Sequence, residues 1–201
     1  MKFDSSLIVP PSQNYKGLSY GEWAVIFWNW LFSNQTQSGP VYFLRGNVDN
    51  EPAIVKKENS EVMIFSDRGV FFPIICTIYS KLNHPTITNS IERRKNAADS
   101  QKHPKLLRAK IDNSVISDLR RYYAETPEFT VDISKYNILR MKFDPPIPPG
   151  KAPAVSAGYW LLVKSLPVGK HRIEFEGIHK DGFRTFGQYT LNVRRSLVNQ
   201  L

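Results

Sequence analysis

The chain has 201 residues, a formal net charge of +9, 41% hydrophobic and 12% aromatic content, so it is long enough to bury a core and too apolar to be disordered throughout. A single cysteine, Cys76, excludes an intramolecular disulfide, and its place in the apolar run 71–78 marks it as a small core residue.

In chain order, residues 1–18 are mostly polar, and Pro10 and Pro11 remove two backbone donors, which predicts an extended arm. Leu7, Ile8 and Val9 would give this arm a short apolar grip on a neighbouring subunit. No apolar stretch of roughly 7–15 residues stands near the start, so no signal peptide is expected and the protein is placed inside the cell at synthesis. Ser19 and Glu22 form a capping-box pattern, which predicts a helix over about 20–32. Tyr20, Trp23, Ile26, Phe27, Trp30 and Leu31 share one face, while Val25, Trp28 and Phe32 load the other, so the helix needs cover on two sides. Its apolar window, 23–32, is far short of the roughly 20 residues needed to span a bilayer.

From Val41 the periodicity shortens, and strands are predicted near 41–45, 53–57, 61–65 and 70–79, separated by Gly, Asn, Pro and Asp. Residues 83–105 hold little apolar content and two His-Pro steps, which predicts a long surface loop. Strand-like runs resume near 106–111, 120–124, 128–133 and 138–143, before a stiff proline connector at 144–150. The tail adds runs at 156–164, 170–178 and 183–194, which look like consecutive antiparallel neighbours. The expected fold is all-β and mainly antiparallel: a two-layer β-sandwich, Ig-like or jelly-roll, with the one N-terminal helix closing an end. Residues 19–201 would form one domain, preceded by the arm 1–18.

Four segments together resemble an uncharacterised family of small proteins found in bacteria, archaea and some viral genomes. They are Ser19-Tyr-Gly-Glu-Trp23 with Trp28-Asn-Trp30, the run SGPVYFLRG at 38–46, GVFFPI at 69–74, and GYWLL at 158–162 followed by LPVGKH at 166–171. The resemblance implies one domain and brings no activity, cofactor or catalytic residue with it.

Read for chemistry, the residues exclude more than they assign. The four histidines, His84, His103, His171 and His179, show no HExxH or close Cys/His spacing, so no metal and no cofactor are expected. Neither a G-x-S-x-G elbow nor a P-loop occurs. Glu174 and Glu176 share a face of a predicted strand, which reads as a solvated outer face before an acid/base pair. Trp23 and Trp30 are expected in the core, leaving Trp28 and Trp160 as the undecided tryptophans for a sugar-stacking platform. Between 93 and 110 the chain carries Arg93, Arg94, Lys95, Lys102, Lys105, Arg108 and Lys110 against Asp99 alone. Such a loop fits an anionic surface, with Arg93, Arg94, Lys95, Lys102 and Lys105 as partner-binding residues; it lacks the interleaved aromatics of a nucleic-acid groove. The expectation is a non-enzymatic structural or interaction subunit of a larger assembly, such as a virion, partnered by other protein subunits or by copies of itself. The alternatives are a carbohydrate-binding β-sandwich module and, behind it, a hydrolase with scattered Asp, Glu and His.

Overall fold

The computed structural model describes residues 3–33, 36–48, 60–137, 140 and 146–196. In chain order its elements are α1 (Tyr20–Ser33), β1 (Val41–Phe43), β2 (Asn47–Val48), β3 (Ser60–Phe65), β4 (Gly69–Ser80), α2 (Ser90–Ser100), β5 (Leu106–Ile111), β6 (Ser114–Val115), β7 (Tyr123–Glu125), β8 (Phe129–Ile133), β9 (Gly150–Val163), β10 (Gly169–Ile178) and β11 (Arg184–Arg194). The chain is mostly β, with antiparallel sheets stacked in the manner of a sandwich and one helix near the N-terminus, as the periodicity predicts. The predicted strand 53–57 lies outside the described residues, as does that at 138–143 apart from Arg140.

The first sheet runs β1-β4-β9, with β7 and β8 sharing the far edge of β9; the second runs β2-β11-β10-β5-β6, with β3 beside β2 on β11. Two pairings, β1 with β4 and β3 with β11, are parallel, and the others are antiparallel. β4 and β9 are near-continuous apolar runs because the first sheet is covered on both faces. Alternation divides them: Phe71 and Trp160, stacked at 5.2 Å, face α1, where Phe27 lies 5.3 Å from Trp160, while Phe72 faces the second sheet and stacks on Phe175 at 4.9 Å. By contrast β10 and β11 alternate buried residues with partly or fully exposed ones, because the outer face of the second sheet meets solvent. The sheets approach so closely at Gly177 that a Cβ there would sit 2.6 Å from the Ile74 carbonyl oxygen.

The capping box forms as expected: the Ser19 N–H donates to Glu22 Oε2 at 2.8 Å and the Glu22 N–H donates to Ser19 Oγ at 3.3 Å. α1 lies across the outer face of the first sheet rather than closing an end. Trp28 Nε1 donates to Ser156 Oγ of β9 at 2.7 Å, and Gly21 rides so close to β7 that a Cβ would meet the Glu125 carbonyl oxygen at 2.2 Å.

Further expectations differ from the structure, beginning with the last three strands, of which only β10 and β11 are neighbours, β9 lying in the other sheet. The arm is not extended away from its own domain at its apolar part: Ile8 and Val9 are buried, Leu7 is half-buried, the Val9 N–H donates to the Leu162 carbonyl at 2.9 Å and the Lys164 N–H donates to the Leu7 carbonyl at 2.7 Å. These groups complete the unpaired end of β9, and the Tyr20 hydroxyl, donating to the Val9 carbonyl and accepting from the Leu162 N–H, locks the junction. The stretch 83–105 is not one long loop but contains α2, started by Asn89, whose Oδ1 accepts from the Glu92 N–H at 2.8 Å. Finally, most of the run 120–124 is a 3-10 turn, Leu119–Tyr122, entered through Asp118 in a left-handed conformation at φ 52°.

Candidate functional site

A cleft follows from a mismatch of strand lengths. β1 pairs only with Gly69–Phe71, whereas β4 continues to Ser80, so the later half of its edge has no strand partner among the described residues. The second half of α1 stands on one side of this edge and the β10–β11 turn on the other, leaving a cleft of about 440 Å³ between them. That volume falls within the usual range of roughly 300–1,000 Å³ for small-molecule sites.

The walls are apolar where α1 and β4 form them, from Trp28, Leu31, Phe32 and Ile78, while Phe183 stands at the rim with 44% of its surface exposed. Tyr79, His84, His179 and Asp181 gather at one end, where the Asp181 charge bears on both Tyr79 and His179, and the buried Arg45 also lines the cleft. Tyr79 and His84 stack with ring centroids 4.1 Å apart, and His179 packs against Phe183 at 5.5 Å. The turn is shaped by Asp181, whose Oδ1 accepts from the Phe183 N–H at 3.0 Å, and by Gly182 at φ 99°, which the chain needs to reverse between β10 and β11.

Electrostatically this end sets one negative charge, Asp181, among neutral groups that both donate and accept. Burial pushes both His84 and His179 below the ordinary imidazole value, which favours their neutral forms at neutral pH. The Gln101 amide nitrogen lies 2.8 Å from His179 Nε2, an arrangement that makes Nε2 the acceptor and leaves the proton on Nδ1. Burial, then the Asp181 charge, raises the Tyr79 hydroxyl above its usual range. Burial also pushes the Cys76 thiol up, so this wall residue stays a thiol and is no nucleophile. Among the described residues no group of three His, Cys, Asp or Glu side chains is placed to hold a metal.

The charged residues singled out in the sequence lie elsewhere, whereas Trp28, Cys76, His84 and His179 line the cleft. Arg93 is 3% exposed and turned inward, donating to the Thr88 carbonyl at 3.1 Å and to Glu128 at 3.2 Å, so it presents no free cation. Arg94 reaches the Thr126 carbonyl and Glu125, while Lys95 and Lys102 both hold Asp99, at 2.7 and 2.6 Å. Lys105 is exposed at the start of β5. Glu176 is clasped by Arg108 and Arg184, and Glu174 pairs with Arg172, an ion-pair ladder on the open face. Trp23, Trp28 and Trp160 are buried and offer no free stacking face, while Trp30, expected in the core, is half-buried against Phe27 and Phe43.

Sequence reading missed the cleft because its polar end is assembled from two stretches about a hundred residues apart. Tyr79 and His84 come from the end of β4, and His179 to Phe183 from the β10–β11 turn; no spacing rule links them. Comparison of the chain with protein-family models, with curated proteins and with solved structures gives no match. No helix among the described residues is long and apolar enough to cross a membrane.

Proposed function

We propose that the protein is a non-enzymatic binding protein that recognises its ligand in the cleft between α1 and the β10–β11 turn. The observation that carries this reading is the cleft's division into an apolar wall and one polar end, the arrangement by which a site buries a ligand's body and orients its head. The lining offers no activated nucleophile: burial keeps the Cys76 thiol protonated, and Glu174 and Glu176 are ion-paired on another face. A fragment screen read by amide chemical shifts tests it. Hits should cluster on Leu31, Ile78 and Phe183, and Leu31→Trp, which fills the cleft, should abolish them; hits scattered over the surface and untouched by that substitution would refute it.

A second reading, a subunit of a larger assembly, is favoured by β3. This strand lies at the edge of the second sheet, and it exposes Met63 and Phe65, 54% and 40% accessible. This reading does not extend to a virion, since Ile8 and Val9 pack into their own domain and offer no grip on a neighbour. Replacing Met63 and Phe65 by Lys should lower the sedimentation coefficient of the native particle without changing the melting temperature; an unchanged coefficient would remove this reading.

A further inference from the structure

We propose that the cleft takes a small amphipathic amine, with an aromatic or alicyclic body and a protonated amino group. This rests on the reading of the cleft as a binding site and adds the class of ligand. The body is set by the walls: Trp28, Leu31, Phe32 and Ile78 offer aromatic edges and aliphatic side chains but no donor or acceptor to spare, since Trp28 Nε1 is committed to Ser156.

The head is set by the polar end. The Tyr79 hydroxyl and the His84 ring nitrogens have no hydrogen-bond partner among the described residues, and the Asp181 carboxylate is met there by a single backbone N–H and by no cation. Asp181 brings a negative charge, and neutral His84 brings a lone pair. Tyr79 brings a hydroxyl oxygen and, with Phe183, aromatic rings at the same end. An ammonium group carries three donors and one positive charge; it is matched by that set of acceptors and attracted by the aromatic faces. A carboxylate or phosphate head would place its charge beside the Asp181 carboxylate, which is repulsive in a partly desolvated site.

Three indole compounds with the same body and different heads provide the test: tryptamine, indole-3-ethanol and indole-3-acetate, titrated into the full chain by calorimetry with amide shifts recorded in parallel. Tryptamine should bind at least tenfold more tightly than indole-3-acetate, with indole-3-ethanol between them, and should shift Leu31, Ile78 and Phe183. Asp181→Asn preserves an acceptor for the Phe183 N–H, so the turn survives, and it should weaken tryptamine at least tenfold while leaving indole-3-ethanol within twofold. Phe183→Ala should weaken tryptamine several-fold. Equal binding of the three compounds, or an Asp181→Asn variant that binds tryptamine as well as the wild type, would overturn the amine assignment and leave the cleft as a site. No shift at the cleft from any of the three would overturn both.

Discussion

Single side chains show how differently four tryptophans can be used. Trp160 is fully buried between Phe71 and Phe27, yet its Nε1 has no hydrogen-bond partner among the described residues, whereas Trp28 is buried with its Nε1 donating to Ser156 Oγ. Trp160→Ala should therefore cost about 3–5 kcal/mol through loss of apolar burial and the cavity left behind, measured by urea denaturation. The corresponding change at half-buried Trp30 should cost clearly less, because solvent can reach part of the space vacated. The phenylalanine pair separates packing from hydrogen bonding. Trp28→Phe strands a buried serine hydroxyl, at about 1–3 kcal/mol, whereas Trp160→Phe removes a donor that had no acceptor; Trp28→Phe should therefore be the more destabilising of the two. The reverse order would mean that the indole volume at 160 outweighs the polar term. The sequence pattern that loaded both faces of α1 with aromatics made its double cover legible, but not which indole would carry a partner, since Ser156 lies on a strand 128 residues away.

At the scale of elements, α1 was legible because two independent signals, the Ser19–Glu22 box and the 3.6-residue aromatic pattern, coincide. α2 was overlooked although Asn89-x-x-Glu92 is a cap of the same logic, because its body, SIERRKNAADS, has only Ile91, Ala97 and Ala98 as apolar residues and buries only Arg93 and Ala97. A helix so polar draws on local terms. Asn89→Ala should cost about 1 kcal/mol and fray the first turn, seen as faster amide exchange at Glu92 and Arg93. At its other end, hydrogen bonds from Lys102 and Lys95 pull the Asp99 carboxyl down to about 2, below its ordinary 3.8. A depressed carboxyl contributes stability that is present above its unfolded value and lost as pH falls through the folded one. The last turn of α2 should therefore hold at pH 5 and loosen between about pH 4 and 2, a change that Asp99→Asn abolishes; an Asp99 carboxyl titrating by NMR at its ordinary value would contradict this. The predicted basic excursion thus becomes a helix whose cations are mostly engaged in holding it together.

For the whole molecule, the β-sandwich character could be read from alternation and turn residues, but register, the two parallel pairings and the cleft could not, since each depends on which distant runs meet. The N-terminal segment shows the gap most plainly. Polar composition and two prolines predict an arm, and nothing local says that Ile8 and Val9 complete the end of β9. There they bury two aliphatic side chains, the Val9 N–H donates to the Leu162 carbonyl while the Lys164 N–H donates to the adjoining Leu7 carbonyl, and the Val9 carbonyl accepts from the Tyr20 hydroxyl. Burial alone contributes about 1.5–3 kcal/mol per side chain, and removing the segment also uncovers β9 and leaves the buried Tyr20 hydroxyl without its acceptor. The total approaches the whole stability of an ordinary domain, about 5–15 kcal/mol. Deleting residues 1–14 should therefore leave a chain that is largely unfolded or expanded at 37 °C, with tryptophan fluorescence shifted to the red as Trp23 and Trp160 meet water. The substitution pair Ile8→Ala and Val9→Ala should lower the denaturation midpoint in the same direction while keeping the full length. A truncated chain that melts with the wild type, together with rapid exchange of the Val9 amide in the intact protein, would show instead that the segment lies loosely on β9 and is free to serve a neighbour.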